Sequence, residues 1–263
     1  MKEPPERLKP FIQCCWFIRT EQKLEKTIIN KIISDGGSGI TYNFGAPFFI
    51  ESGGRECFVR DRVFFTGVTD KTAYLRLKGD VDAVGIRFYP GVHSMLFGEG
   101  RECCENIFRL EQRDLCGTAS LYEEMKTADT ETRAQMVWGK MDELFDGHAG
   151  ASWAMEAVEQ IRKEYGSARI DSLSGELYLS RRQFERKFKQ NVGLTPKQFS
   201  RIVRIQKARS LMRSQDVESL TTVGYECDYY DQAHFIREFK DVVKLTPKQY
   251  LRSKRMSLLY NSK

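Results

Sequence analysis

Between Arg181 and Arg213 the chain carries eleven lysines and arginines and a single acid, Glu185. Cations packed this densely either solvate a helix surface or hold a polyanion such as nucleic-acid phosphate, and charge alone leaves both readings open. The block belongs to a chain of uneven charge. Residues 1–150 hold 20 basic against 23 acidic side chains and residues 151–263 hold 22 against 13, so the halves carry −3 and +9 within a net +6. Other chemistries find fewer parts. His93, His148 and His234 are the only histidines and form no His-x-His, whereas a metal-dependent enzyme of the histidine-ligated kind needs two or three converging with a carboxylate. The seven cysteines are odd in number and lack a Cys-x-x-Cys. The neighbours Cys14–Cys15 and Cys103–Cys104 would point to opposite faces of a strand, so the cysteines read as reduced, small apolar side chains. Without a Gly-x-Ser-x-Gly or a Walker-type loop, the reading contains no enzyme, no metal and no cofactor.

The elements that must position the cations are duplicated. Sliding the C-terminal half by 51 positions sets Phe184–Phe199 against Phe235–Tyr250 with ten of sixteen residues identical, where chance gives about one. Two copies are too few for a solenoid, so the repeat is a supersecondary unit used twice. Each copy reads as helix, tight turn, helix. Ile170, Leu173 and Leu177 recur at helical spacing; Ser180 then offers an N-cap with Gln183 three residues on, a capping box that starts a helix at Arg181. Phe184 and Phe188 face inward along it, which turns Arg182, Glu185, Arg186 and Lys189 outward. In the second copy Leu220 and Val223 mark the first helix, Asp231 is the N-cap, and Phe235 and Phe239 repeat the apolar pair. Between the copies, Thr195-Pro196 opens a helix expected to run to Met212. About 17 residues at 1.5 Å make a rod of roughly 25 Å, long enough to hold two heads near the roughly 34 Å repeat of a DNA turn.

The segments Leu-Ser-Arg-Arg-Gln-Phe-Glu-Arg-Lys-Phe-Lys (179–189), Arg-Ile-Val-Arg-Ile-Gln-Lys-Ala (201–208) and Tyr-Tyr-Asp-Gln-Ala-His-Phe-Ile-Arg-Glu-Phe-Lys (229–240) resemble the tandem helix-turn-helix region of AraC/XylS-family transcription regulators. The likeness spans residues 152–252 and joins both units, the connecting helix and both Thr-Pro signals in order. It implies that the second helix of each unit enters the major groove of double-stranded DNA, with Arg182, Glu185 and Arg186 as the first unit's base-contacting residues and Gln232, Ala233 and Arg237 as the second's. The chemistry suits those roles: arginine pairs bidentately with guanine O6/N7, glutamate accepts from cytosine N4, and glutamine reads adenine N6/N7, each worth about 1–3 kcal/mol of discrimination. Lys189, Lys197, Arg201, Arg204 and Lys207 read as phosphate contacts or as solvated charge. Two departures from the family pattern stand out. Tyr178 and Asp228 occupy the turn where a glycine is usual, and Ser174 and Gly224 stand where alanine is common. Positive φ costs more at Tyr178 and Asp228 than at glycine, and Gly224 costs a helix about 1 kcal/mol relative to alanine. After Gln215 eight basic residues face seven acids, so the first unit should dominate affinity.

The N-terminal half reads differently. Short β-rich runs at 11–19, 27–33, 40–44, 48–51, 62–66, 74–77 and 83–89, punctuated by Gly-Gly at 36–37 and 53–54, favour an antiparallel barrel or sandwich. In the family this position is commonly a cupin-like barrel that senses a ligand. Tyr42, Phe44, Phe48, Phe49, Phe58, Phe64, Phe65, Tyr74 and Phe88 line either an effector pocket or simply a core, and Arg87 either faces solvent or clamps a carboxylate effector. Helical periodicity from Leu110 to Phe145 fits a hairpin joined near 127–130, which in the family often makes the dimer. The fold class is therefore α+β: an N-terminal β-rich cupin-like barrel with a helical hairpin, then an all-α tandem helix-turn-helix domain. The expected boundaries are 1–110 for the sensing domain, 111–146 for the hairpin, 147–151 for a linker and 152–256 for the DNA-binding domain. The expected partners are double-stranded DNA, a small-molecule effector, a second copy of the chain and RNA polymerase. No run reaches the roughly 18 apolar residues of a membrane span, and the start Met-Lys-Glu-Pro-Pro is unlike a signal peptide, so the expected location is the cytoplasm. Two other readings remain: a DNA-binding protein whose N-terminal half only dimerises, and a metal-dependent cupin enzyme fused to a degenerate DNA module.

Overall fold

Among the described residues the N-terminal half forms nine strands, most of them alternating apolar and polar side chains: β1 (Ile12–Arg19), β2 (Leu24–Ile32), β3 (Ser38–Asn43), β4 (Phe48–Ser52), β5 (Arg55–Val59), β6 (Val63–Thr66), β7 (Ala73–Gly79), β8 (Asp82–Phe88) and β9 (Ile107–Arg109). The computed structural model describes residues 1–60, 62–97, 107–109, 117–147, 152–214 and 219–260. Cys103, Cys104, Cys116, His148 and most of the 147–151 linker lie outside the described residues. The strands form two wholly antiparallel sheets, ordered β1-β8-β3-β6-β9 and β2-β7-β4-β5. The cupin-like domain is thus a jelly-roll-like pair of facing sheets rather than one closed barrel.

Side-chain alternation gives the larger sheet two apolar faces. Ile40, Tyr42, Val63, Phe65, Val84, Ile86 and Phe88 share one core with Leu121, Met125, Val137, Met141 and Phe145 of the helical hairpin, α2 (Thr118–Met125) and α3 (Thr130–Leu144). Phe11 stacks on Phe145 at 4.4 Å, and the buried Arg133 of α3 reaches Asp82 at 2.6 Å while lying over the Phe44 ring. The hairpin's apolar side is consumed inside the domain. On the opposite face Phe64 meets Phe48, Ile50, Val59, Leu77 and Val81. Trp16 lies so close over Gly85 that any Cβ there would come within 2.0 Å of the ring, which requires glycine. A short α1 (Val92–Phe97) follows β8.

The rest is helical: α4 (Trp153–Lys163), α5 (Ile170–Glu176), α6 (Arg181–Val192), α7 (Pro196–Leu211), α8 (Leu220–Glu226), α9 (Gln232–Val243) and α10 (Pro247–Tyr260). Two cores form here. One gathers Ala154, Val158, Ile161, Leu173, Phe184, Phe188, Phe199 and Ile202; the other gathers Ile205, Ala208, Val223, Phe235, Phe239, Val242 and Val243. The 16-residue α7 supplies both, its first turns to one and its later turns to the other, and at 1.5 Å per residue it is a rod of about 24 Å. A fully buried phenylalanine contributes about 1.5–3 kcal/mol, so the duplicated Phe pairs are main determinants of each unit.

Loops of the sandwich reach into both helical cores. Val68 is buried in the first, and Ile33 packs against the second. The Gln206 amide donates to the Ser34 carbonyl at 2.6 Å and the Thr72 hydroxyl to the Val242 carbonyl at 2.5 Å. Gly36, at φ +76°, backs directly onto the Phe199 ring.

Candidate nucleic-acid interface

The first presenting helix, α6, starts where its capping box dictates. Ser180 Oγ accepts from the Gln183 amide at 3.3 Å, and Gln183 Oε1 accepts from the Ser180 amide at 2.9 Å. Thr195 with Gln198 and Thr246 with Gln249 repeat the arrangement at the next helices. With Phe184 and Phe188 fully buried, Arg182, Arg186 and Lys189 stand exposed on the other face. Arg182 and Arg186 make no hydrogen bond or ion pair among the described residues, so both guanidinium forks are available to an acceptor. Glu185 is half-buried and is held by Arg181 Nε at 3.1 Å. That hydrogen bond, with Asp171 adding charge at 3.5 Å, raises the Arg181 pKa further.

The second presenting helix, α9, is capped by Asp231, whose carboxylate accepts from the His234 amide at 2.7 Å. Gln232, Ala233 and Arg237 are exposed, on the face opposite the buried Phe235 and Phe239. Arg237 Nε donates to the Ala233 carbonyl of its own helix at 3.4 Å. The two turns take the costly conformation anticipated from sequence: Tyr178 sits at φ +53° and Asp228 at φ +61°. Gly224 approaches Phe235, and a Cβ there would meet that ring at an ordinary 3.5 Å.

Of the five residues read as phosphate contacts or solvated charge, three already have partners within the protein. Lys189 and Lys197 are exposed. Arg201 instead bridges Asp70 Oδ2 at 2.9 Å and Asp241 Oδ2 at 2.8 Å. Arg204 donates to the Gly166 carbonyl at 3.1 Å, meets Glu238 at 3.4 Å and lies over the Tyr229 ring. Lys207 donates to the Glu226 carbonyl and covers the Tyr165 ring at 4.4 Å. Arg201 and Arg204 are largely buried by these contacts, whereas the Lys207 contact is exposed. Asp241 is held below the usual carboxylate range, because Arg201 and then Lys244 outweigh the opposing effect of burial. The reading missed Asp70 because it lies 131 positions from Arg201, with no local pattern to join them.

In the sandwich the nine aromatic residues do not converge. Tyr42, Phe65 and Phe88 belong to the hairpin core, Phe48 and Phe64 lie between the sheets, and Phe49 and Phe58 are exposed. Arg87 turns inward but pairs with Asp35. A cleft of about 420 Å³ opens where the sandwich meets α4, lined by Lys9, Pro10, Tyr89, Met155, Glu159 and Arg162, among others. Cys14, Cys15, Cys57 and Cys227 are free thiols, and burial pushes Cys15 up to about 12 and Cys227 to about 11. Among the described residues no three His, Cys, Asp or Glu side chains group as a metal site, and no helix is long and apolar enough to cross a membrane.

Residues 173–253 match the model of a helix-turn-helix domain, and residues 2–102 match a domain of unknown function, DUF6597. The HTH-type transcriptional activator RhaS of Citrobacter koseri is 28% identical over 244 residues, covering 87% of this chain and 86% of that protein. Among solved structures, ToxT from Vibrio cholerae superposes with a TM-score of 0.51 at 12% identity, covering 90% of this chain and 97% of that one. ToxT bound to (E)-4-(8-methylnaphthalen-1-yl)but-3-enoic acid gives a TM-score of 0.50 at 12% identity, with the same 90% and 97% coverage. At such identities the likeness shows a shared two-part fold, a sandwich followed by paired helix-turn-helix units.

Proposed function

We propose that the chain is a transcription regulator of the AraC/XylS family, as its helix-turn-helix match and its likeness to RhaS support, and that it reads two successive major grooves with α6 and α9 under control of a small molecule bound by its sandwich domain. The observation that carries the reading is the exposed, unpaired Arg182–Arg186 edge of a tightly capped helix, repeated in outline by Gln232, Ala233 and Arg237 at the other part of the α7 rod. Arg182 and Arg186 take guanines, and Glu185 takes a cytosine once Arg181 releases it. Gln232 takes an adenine, Ala233 packs on a thymine methyl, and Arg237 takes a guanine. Lys189 and Lys197 serve the phosphates. Arg201, Arg204 and Lys207, already held by protein groups, are structural in this reading.

The proposal extends to an operator-bound homodimer in the cytoplasm that meets RNA polymerase and carries out no catalysis. Residues 1–110 sense, 111–146 brace the sandwich, 147–151 link, and 152–256 bind DNA. The cleft beside α4 is the place for the effector. Its volume suits a small ligand; Lys9 and Arg162, which hold Glu6 at 2.6 Å and Glu159 at 3.6 Å, would exchange those exposed carboxylates for that of an organic acid, and Tyr89, over which Arg162 lies at 4.7 Å, supplies an apolar wall. The test is selection of fragmented genomic DNA by the purified protein at about 150 mM salt, where phosphate attraction alone is weak. A motif with two parts about 10 base pairs apart, lost with Arg182→Ala and Arg186→Ala, is the expected result. Retention without any motif refutes two-headed base reading.

A further inference from the structure

Among the described residues, strand β2 is an open edge. It closes one side of the four-stranded sheet, and among the described residues it pairs only with β7. Its nine residues span about 30 Å, and residues 25–30 are all exposed, so the strand stands clear on both faces as well as along its edge. Ile28 is 49% exposed, Ile29 63% and Ile32 45%. On the outer face the sheet register carries the apolar surface from Ile29 across Arg76 to the exposed Phe49 and Phe58. Proteins usually protect such edges by keeping them short or by placing proline or inward-pointing charge on them. This one is long, free of proline and rich in β-branched residues; its protections are Lys26, Lys31 and a bulge against β7 between Leu24 and Ile28, and the ladder with β7 runs unbroken from Ile28 to Ile32.

We propose that β2 is a dimer seam, in which it pairs antiparallel with β2 of a second copy about a two-fold axis through Ile28, joining two four-stranded sheets into one of eight. The sequence of the strand is self-complementary in that register and not in its neighbours. With Ile28 opposite itself, Thr27 faces Ile29, Lys26 faces Asn30, Glu25 faces Lys31 and Leu24 faces Ile32, and symmetry makes each pair twice. A slip of one residue in one direction sets Lys26 against Lys31, a like-charge pair that opposes association. The other direction forfeits both Glu25–Lys31 pairs. Neither Glu25 nor Lys31 has an ion-pair partner within the chain among the described residues. Burial first, and then the charges of Arg209 and Lys244, lower the Lys31 pKa, although Asp241 lies 3.4 Å from Lys244; Glu25 of the second copy would give Lys31 an anion of its own. The helical hairpin, the other expected place for a dimer, has already spent Leu121, Met125, Val137 and Met141 on its own core.

The inference rests on the homodimer in the proposed function but needs neither DNA nor effector for its test, which is sedimentation of the full chain over a range of concentrations. Glu25→Lys and Lys31→Glu should each weaken the dimer about tenfold or more, since each replaces two attractive pairs by two repulsive ones. The double variant should restore it, and mixing the two single variants should give the heterodimer. Ile28→Cys should cross-link under mild oxidation through the peptide spanning position 28. A chain that stays monomeric overturns both the dimer and the seam. A dimer that neither charge reversal weakens, or that Ile28→Cys fails to cross-link, leaves the homodimer standing and overturns the seam.

Discussion

Removing the Asp70 carboxylate should loosen the sandwich from the DNA-binding unit, and the expected magnitude follows from its surroundings. Asp70 is 5% exposed and accepts from Arg201 at 2.9 Å, with Gln198 at 3.3 Å and Lys71 at 3.4 Å as further partners; Arg201 is 20% exposed and keeps Asp241 at 2.8 Å. Breaking a buried pair from one side costs about 3–5 kcal/mol, because the remaining charge is left uncompensated. Each partner here retains a second one, and Arg201 is partly screened by water, so about 2–3 kcal/mol is expected for Asp70→Ala and for Arg201→Ala separately. The double variant should cost less than the sum by about 1–2 kcal/mol. Urea unfolding of the full chain measures this, with Trp16 and Trp138 reporting on the sandwich side and Trp153 on the helical side. The two reports should coincide in the parent chain and separate in the variants. Additivity within about 0.5 kcal/mol would show that the pair is not coupled. A second readout tests the assignment of Arg201 itself: if its charge is committed to protein, Arg201→Ala leaves the salt dependence of DNA binding unchanged. A slope shallower by about 0.9 would refute that, because it would reveal a lost phosphate contact.

The other predictions concern single residues. His93, 2% exposed, has its pKa pushed down by burial from 6.5 to about 4. The unfolded chain takes up a proton below pH 6.5 that the folded chain refuses until near pH 4, so the native state's advantage is complete above 6.5 and is lost as pH falls. The full window of about 2.5 pH units at 1.36 kcal/mol each is about 3 kcal/mol. Urea midpoints between pH 7 and pH 5 should therefore fall in the parent chain and flatten in His93→Gln. Tyr178→Gly should gain stability, up to about 1 kcal/mol after the entropy of the glycine chain is subtracted, because Tyr178 is 98% exposed and loses only its left-handed strain. Gly224→Ala should gain about 0.5–1 kcal/mol, since the new methyl meets Phe235 at ordinary contact; a loss in thermal unfolding would show that α8 and α9 have no such room. Gly36→Ala should lose about 1–2 kcal/mol, because φ is +76° and the Cβ would press on Phe199 at 3.0 Å.

How far the chain could be read in advance depended on how local the cause was. The capping boxes, the Phe184/Phe188 and Phe235/Phe239 pairs and the Thr195-Pro196 start are all set by residues within four positions of one another, and each forms the expected element. All seven expected strands form as well, with ends displaced by up to three residues. Strand β5 was missed because Arg55-Glu-Cys-Phe is exposed at the sheet edge and shows no apolar alternation; only Gly53 and Gly54, both at positive φ, signalled the turn before it. The aromatic residues of the sandwich were legible as apolar but not as to face, since a one-residue choice of register sends Phe48 and Phe49 to opposite sides. The partners of Arg201, Arg204 and Arg87 lie 131, 34 and 52 positions away, and no spacing rule connects residues so far apart.

The segment leaving β2 makes four contacts in a row, two of which join it to α7. Within four residues of the strand's end, Ile33 packs on the second helical core, the Ser34 carbonyl accepts from Gln206, Asp35 receives Arg87, and Gly36 supports Phe199 at the first core. A shift of this short connection would be felt on α7 at both ends, and α7 sets the separation of α6 and α9. A seam through Ile28 fixes the strand on one side while the sandwich fixes it on the other. Dimer formation and head spacing then share one element, and any ligand that binds one position of that element better than another changes both. A ligand indifferent to its position changes neither, however tightly it binds. An effector of this regulator should therefore alter dimer affinity and operator affinity by linked amounts, and one that alters operator affinity while leaving the dimer constant untouched would show that the two are coupled to α7 by separate routes.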